Sequence, residues 1–476
     1  MTIHNPWNRR RFLQAAGLTG LATTGLGIAA GCASEPGGGP GGATQATVPA
    51  PSATFTEPAG TLSGSLSILL WSHFVPSHDT QWFDDFARQW GQQVGVDITV
   101  DHIAATDLPA RIAAELQAGQ GHDLIQNIFT LSQYEQSVLD LTDVTQEANN
   151  RYGTQLELCR KSSFNPATGK YYAYAPGWVP DPGNYRRSLW EPVGLPSGPS
   201  TWQELLEGGA EIKRSQGVQL GVGMSQEIDS NMAARSLLWS FGGAIQDAGE
   251  QIVLNSPQTI ASVEFMQRLY RDTMTPEVFS WNPSSNNQGL IAGQMSYILN
   301  SISAYRTAQE QNPEVAEDVL FVPALRGPAT AIAAQHVMYN WIVPQFSRNA
   351  DAAKEFLLHY TANFASATYH SKLYDLPAWS GLVPQLDSWL ADDPFGSTPS
   401  DKLAVLRGAT EWATNIGHPG PASPAIGEVF SQFIIPNMYA RAARGEMTPE
   451  QTVISAEAEI RPIFDKWRQR GLVGGG

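Results

Sequence analysis

Between residues 66 and 129 the chain alternates short apolar strands with amphipathic helices, and that alternation narrows its fold more than any other feature. Residues 66–71 (Leu-Ser-Ile-Leu-Leu-Trp) read as a buried strand. Residues 80–94 read as a helix whose Trp82, Phe86 and Trp90 recur at i, i+4 and i+8 and so face a core. Residues 96–103 alternate as a second strand, 107–118 form a second helix, and 123–129 a third strand. Strand, helix, strand, helix, strand calls for a right-handed parallel α/β lobe, in which ligands meet the loops after the carboxyl ends of the strands. Those loops are Trp71-Ser72-His73-Phe74 and residues 127–130. Asp123 begins its strand at the opposite edge, so its expected role is structural.

Residues 62–476 are too long for one compact core and predict two lobes. Residues 171–181 (Tyr-Tyr-Ala-Tyr-Ala-Pro-Gly-Trp-Val-Pro-Asp) are aromatic, broken by proline and almost uncharged, which suits a segment crossing between lobes beside a cleft. Helices are expected at 201–216, 231–242, 256–273 and 349–361, with Ser256-Pro257 and Asn349 as starts.

The amino-terminal region reads as export machinery. Asn8-Arg9-Arg10-Arg11-Phe12-Leu13-Gln14 has the form of a twin-arginine signal, and the weakly apolar run at 15–30 is too short to span a bilayer. Ala29-Ala30-Gly31-Cys32 is a lipoprotein cleavage pattern that would leave Cys32 carrying lipid. The expectation is a signal over 1–31, then a lipidated Cys32 and a disordered Gly/Pro/Ser/Thr-rich linker over 32–61, whose flexible coil reaches roughly 30 Å. The protein would fold in the cytoplasm, be exported, and work outside it while tethered to the bacterial cell membrane.

Charge removes several classes. The chain carries 29 basic and 45 acidic residues; cleavage after Gly31 removes three arginines and no acid, leaving 26 minus 45, or −19. Such a body does not take nucleic acid as its main partner. With Cys32 committed to lipid, Cys159 is alone and is expected to be a buried apolar side chain, with no disulfide. His73 and His78 are five apart, His-Glu-x-x-His is absent, and nine histidines are scattered, so neither a metal site nor a cofactor is expected. A secreted glycosidase is the enzymatic alternative, but it needs two carboxylates about 5–10 Å apart. The neighbours Asp84-Asp85 and Asp392-Asp393 point apart and read as solvated faces. No Gly-x-Ser-x-Gly elbow is present. A non-enzyme is expected.

Several segments, in order, carry a resemblance. Residues 184–196 (Asn-Tyr-Arg-Arg-Ser-Leu-Trp-Glu-Pro-Val-Gly-Leu-Pro) run into Ser200-Thr201-Trp202-Gln203-Glu204-Leu205. Trp239-Ser240-Phe241-Gly242-Gly243 precedes Leu254-Asn255-Ser256-Pro257, and Trp341-Ile342-Val343-Pro344 precedes Ser347-Arg348-Asn349. With Leu376-Pro377-Ala378, these resemble the extracellular solute-binding proteins of ABC importers, in the large carbohydrate-type group that includes maltose-binding protein. The resemblance covers roughly residues 62–470. It implies a two-lobed, periplasmic-binding-protein-like α/β fold whose hinge the chain crosses several times, with lobe one at 62–174 plus 323–372 and lobe two at 175–322 plus 373–476. It also implies a monomer that closes on a small molecule and delivers it to ABC permease subunits, without catalysis. Arg186 departs from the family's usual asparagine, and Asn300-Ser301-Ile302-Ser303 lacks its stacking tryptophan.

A sugar presents an apolar face and a rim of hydroxyls, so its binder needs aromatic plates and neutral or acidic hydrogen-bonding groups. Fourteen tryptophans supply plates. The candidate ligand-binding residues are Trp71, His73, Asn127, Trp178, Asp181, Trp239, Asn300, Tyr339, Asn340 and Trp379. A sugar or oligosaccharide leads; a polyol or glycerol phosphate is the alternative, with Arg186 or Arg187 available to an anionic group.

Overall fold

A computed structural model describes residues 48–474. The expected export signal and Cys32 lie outside the described residues.

In chain order the elements that matter are β1 (Gly64–Trp71), α1 (Asp84–Val94), β2 (Val96–Ile103), α2 (Leu108–Ala118) and β3 (Leu124–Asn127). They continue with β4 (Gly177–Val179), β5 (Gly183–Arg186), α3 (Trp202–Gln216), β6 (Gln219–Gly221), α4 (Ile228–Ser240), α5 (Pro257–Thr273), β7 (Met295–Leu299), α6 (Ser303–Gln311) and β8 (Val319–Val322). The last are β9 (Val337–Met338), β10 (Asn340–Ile342), α7 (Ala350–Ala362), α8 (Phe364–His370), β11 (Leu376–Pro377) and α9 (Pro424–Ser431).

Three sheets organise the two-lobed α/β fold. The first has the order β10-β3-β1-β2. β1 runs parallel to β2 over eight residues, from Gly64↔Val96 to Trp71↔Ile103, and parallel to β3. β10 enters antiparallel, with Asn340 opposite Asn127. The second sheet has the order β8-β5-β7-β6. The third is β9-β4-β11, where three segments of chain cross side by side: Val337 pairs Val179, and Leu376 pairs Trp178. Gly177 is required there: a Cβ would run into the Phe364 ring and reach 3.0 Å from the Leu376 carbonyl.

Local chemistry sets the helix ends. Thr201 and Glu204 form a reciprocal capping box at α3, and Ser256 and Asn349 accept from the third residues of α5 and α7. Helix α4 starts three residues before the expected 231, because the Glu227 side chain accepts from the Asp229 and Ser230 amides and opens the helix there. The helix expected at 80–94 begins as a π-helical turn, Asp79–Phe83, ahead of α1. Trp82, Phe86 and Trp90 are buried as expected, and Cys159 is fully buried and free. The Asp123 carboxylate accepts from the Ser67 amide and hydroxyl and from the Arg348 amide, tying β1 to the chain after β10.

Three expectations change. Asp393 is no solvated acid: it is 4 % exposed and takes two hydrogen bonds from the Arg306 guanidinium, at 2.7 and 3.1 Å. A carboxylate is found this deep only when paired. The linker expected over 32–61 is not free along residues 48–59. Asn363 pairs with both backbone groups of Thr54, the Tyr369 hydroxyl donates to the Val48 carbonyl, and the Ala59 amide reaches Glu355. Backbone hydrogen bonding to α7 and α8 holds a stretch whose composition alone reads as flexible. Arg186 and Arg187 serve no anion: Arg186 pairs with Asp318 at 2.9 Å, and exposed Arg187 faces Glu191.

Candidate functional site

The carboxyl ends of β1, β2 and β3 face α4 and α9 across a cleft enclosing about 480 Å³, within the usual range of roughly 300–1,000 Å³ for small-molecule pockets. The loop after β1 supplies Phe74, the loop after β2 Ala105, the start of α2 Pro109, and the loop after β3 Phe129 and Thr130. Glu227, Ile228 and Phe430 form the opposite wall. Phe129 and Phe430 meet across it with ring centroids 5.2 Å apart, tilted by 43°.

The β3 loop is held in place by two asparagines. Asn127 and Asn340, paired across β3 and β10, both donate to the Phe129 carbonyl, at 3.2 and 3.0 Å, and so set where the Phe129 ring stands. The side-chain oxygens of Asn127 and of Gln133, which also lines the cleft, accept no hydrogen bond within the protein. Glu227 spends its carboxylate on the start of α4, where the helix dipole favours negative charge. Burial nevertheless raises its pKa, and the Asp181 carboxylate adds to that rise. Glu227 is the only acidic side chain among the described residues lining the cleft, and no lysine or arginine lines it. The cleft therefore offers aromatic and aliphatic faces and no lysine or arginine, while the unpaired Asn127 and Gln133 oxygens are buried behind them.

A buried charged group adjoins Glu227. Asp181, just past β4, lies 3.2 Å from His336 Nδ1, close enough for an ion pair but without the direction of a hydrogen bond. Asp229 Oδ1 lies 3.6 Å from the same nitrogen. Burial raises Asp181, with His336 opposing; burial also raises Asp229, with Glu227 adding to it. For His336, burial works downward, but the two aspartates outweigh it and the net shift is upward.

Of the ten candidate residues, Asn127 lines the cleft and Asn340 supports its rim. Trp71 is 1 % exposed and lies edge-on behind Phe74, with centroids 4.8 Å apart. His73 and Tyr339 turn inward to Asp375. Trp178 is enclosed in the crossing sheet with its Nε1 unbonded, and Asp181 lies beside His336. Trp239 is buried in α4, edge-on to His418. Asn300 is bound to Asn286 and Asn287. Trp379 donates to Asn149 and packs on Tyr174, away from the cleft. Among the described residues no tryptophan lines the cleft; its plates are Phe74, Phe129, Tyr134, Phe430 and Phe433. Phe74 and Phe129 lie in the two loops the strand pattern singles out. Nothing local in the sequence marks Phe430 or Glu227.

Residues 81–399 match the profile of a family described as bacterial extracellular solute-binding protein. A binding protein of Brucella abortus (strain 2308) is 24 % identical over 220 residues; the match covers 42 % of this chain and about half, 53 %, of that protein. Among solved structures, maltose-bound MalE3 of T. maritima superposes with a TM-score of 0.69 at 19 % identity, covering 84 % of this chain and 99 % of that one. A solute-binding protein of an ABC transporter from Agrobacterium radiobacter K84, in complex with ribitol, gives 0.66 at 17 %, covering 86 % and 100 %. A sugar transporter protein from Arthrobacter chlorophenolicus A6 with bound laminaribiose gives 0.68 at 16 %, covering 84 % and 99 %.

Proposed function

Because the chain belongs to the bacterial extracellular solute-binding proteins, we propose that it captures a neutral, hydroxyl-rich solute, a sugar, oligosaccharide or polyol, in the cleft between its lobes. The observation that carries this reading is the lining: phenylalanine faces on both walls and no lysine or arginine. The ring C–H groups of a sugar pack on such aromatic faces. An anionic solute such as a glycerol phosphate finds no countercharge there. The reading includes no reaction: both Glu227 oxygens are engaged by a helix start, and the neighbouring Asp181 and Asp229 carboxylates are buried and do not line the cleft, so no pair of carboxylates flanks a bound glycoside.

Closure follows from linkage. A solute that touches Phe129 on one wall and Phe430 on the other binds the closed form better than the open one and shifts the population by that difference. The closed form would dock on ABC permease subunits. Twin-arginine export, lipid on Cys32, a monomeric state and lobe boundaries near the crossing strands complete the proposal. Binding of maltose, laminaribiose and ribitol to the full chain is measured by thermal shift and calorimetry. A solute at about 100 times its dissociation constant adds about 2.7 kcal/mol of stability. Binding of a carbohydrate or polyol that Phe129→Ala weakens supports the reading. Binding only of anionic solutes, or release of nitrophenol from aryl glycosides, defeats it.

A further inference from the structure

Beneath the Phe74 loop, outside the cleft lining, two histidines and an aspartate converge. His73 and His78 bracket Phe74 on the loop after β1, and Asp375 comes from the turn before β11, some 300 residues away in sequence. The imidazole rings stack with centroids 4.4 Å apart and planes 18° from parallel. Asp375 Oδ1 lies 3.2 Å from His73 Nε2, and Asp375 Oδ2 lies 3.8 Å from His78 Nε2. One donor atom from each residue falls within 4.8 Å of the other two, and all three residues are buried.

We propose that His73, His78 and Asp375 form a site for a divalent cation of the zinc type, with Tyr339 or a water as fourth ligand. His78 Nε2 is buried and makes no hydrogen bond within the protein, although it points at a carboxylate. Its other nitrogen lies 2.9 Å from Asp79 Oδ1. With Nδ1–H donating to that carboxylate, the neutral imidazole has its Nε2 lone pair facing Asp375, an arrangement that a cation lying between them relieves. The Val75 amide donates to His73 Nδ1 at 2.9 Å, which leaves the His73 proton on Nε2 facing Asp375; a cation at Nε2 displaces that proton, and the Val75 carbonyl 3.1 Å from Nδ1 can then hold it there. The Tyr339 hydroxyl is 2.5 Å from Asp375 Oδ1 and 3.5 Å from His73 Nε2.

Two imidazoles and one carboxylate are a donor set that suits zinc. Metal–ligand distances of about 2.0–2.1 Å put the ligand atoms of a tetrahedral site about 3.3 Å apart. The His73–Asp375 edge already has that length through Oδ1, the His78–Asp375 edge is 3.8 Å through Oδ2, and with the three donor atoms within 4.8 Å of one another the side chains must draw in by up to about 1.5 Å around the ion. The charges around the site are Asp375 and Asp79, with His102 and Asp84 beyond Asp79. A dication there would brace the loop that carries Phe74 to the cleft against the turn entering β11.

The test titrates the full chain, stripped with EDTA, with Zn²⁺ by calorimetry and with Co²⁺ under visible absorption. One Zn²⁺ per chain is expected, with Co²⁺ giving the bands of a four-coordinate N/O site. Asp79→Asn leaves all three ligands in place and should weaken Zn²⁺ about 10–100-fold. His78→Gln and Asp375→Asn should lose the stoichiometric site while circular dichroism stays native. No stoichiometric uptake by the unaltered chain overturns the proposal. So does uptake that survives His78→Gln and disappears in His122→Gln, since His122 has its own acidic neighbours, Glu115 and Asp101.

Discussion

Replacing Arg306 by Met should cost about 3–4 kcal/mol at pH 7, and the cost should shrink as the solution is acidified. Arg306, on α6, makes both hydrogen bonds to buried Asp393 and also donates from Nε to the Lys372 carbonyl at 2.9 Å. Lys372 and Leu373 hold φ of +53° and +67°, a left-handed turn that delivers the chain into β11, so this guanidinium ties α6 to the segment entering the crossing sheet. Removing one partner of a buried pair typically costs about 3–5 kcal/mol, because the other charge is left without compensation. Asp393 keeps the Ser397 hydroxyl and the Phe395 amide, which favours the lower end. The penalty is also capped by neutralising the orphaned carboxyl. From an ordinary aspartate value near 3.9, that costs about 4 kcal/mol at pH 7 and about 1.5 at pH 5. Urea unfolding of both chains at pH 7 and pH 5 reads the difference directly. Arg306→Met combined with Asp393→Asn should recover about 2 kcal/mol or more of the single-variant loss at pH 7. A loss of the same size at both pH values, or no recovery in the double variant, would refute the argument from an uncompensated buried charge.

Three further outcomes follow from the geometry. Phe129→Ala removes a cleft wall that the Asn127 and Asn340 side chains hold in place, and should weaken a bound sugar about tenfold in calorimetry, equivalent to about 1.4 kcal/mol. Burial lowers His359, stacked on Phe86, to about 4. Between about pH 6.5 and 4 the unfolded chain therefore binds a proton that the folded chain refuses, so this group takes stability away as pH falls; His359→Phe should flatten the slope of stability against pH there by up to one proton. Asn363→Ala breaks both hydrogen bonds to Thr54, and hydrogen exchange at the Thr54 amide should rise at least tenfold while that of β1 is unchanged.

The parts of the fold that read directly from the sequence are those whose signal is local. The period-two and period-3.6 patterns of residues 64–127 place β1, α1, β2, α2 and β3 within a few residues, because each element buries one face against its immediate neighbours. The parallel topology then indicates which loops line the cleft, and Phe74 and Phe129 do lie in those loops. Side-chain direction does not follow from position in a loop. Trp71 ends its strand at the functional edge, yet its indole is 1 % exposed, because the largest apolar side chain gains most by filling the space under the loop and leaving the smaller Phe74 to face the cleft. The same preference buries Trp178 in the crossing sheet, Trp341 of β10 against Phe83 and Phe356, and Trp379 against Tyr174, so a tryptophan-rich composition here reports core volume and not ligand plates.

Separation in sequence hides the remainder. Phe430 lies about 300 residues from Phe129 and meets it only because α9 returns to the first lobe's loops. Asp393 looks like half of a solvated pair until Arg306 is seen opposite it. His73 and His78, five apart, fit no helical metal motif, and they make sense as a pair of ligands only on a loop that stacks their rings toward an aspartate near the far end of the crossing sheet. In each case the partner is supplied by the crossing of the chain between lobes. The loops beside β4, β9 and β11 are therefore where substitutions should couple ligand affinity to stability most strongly.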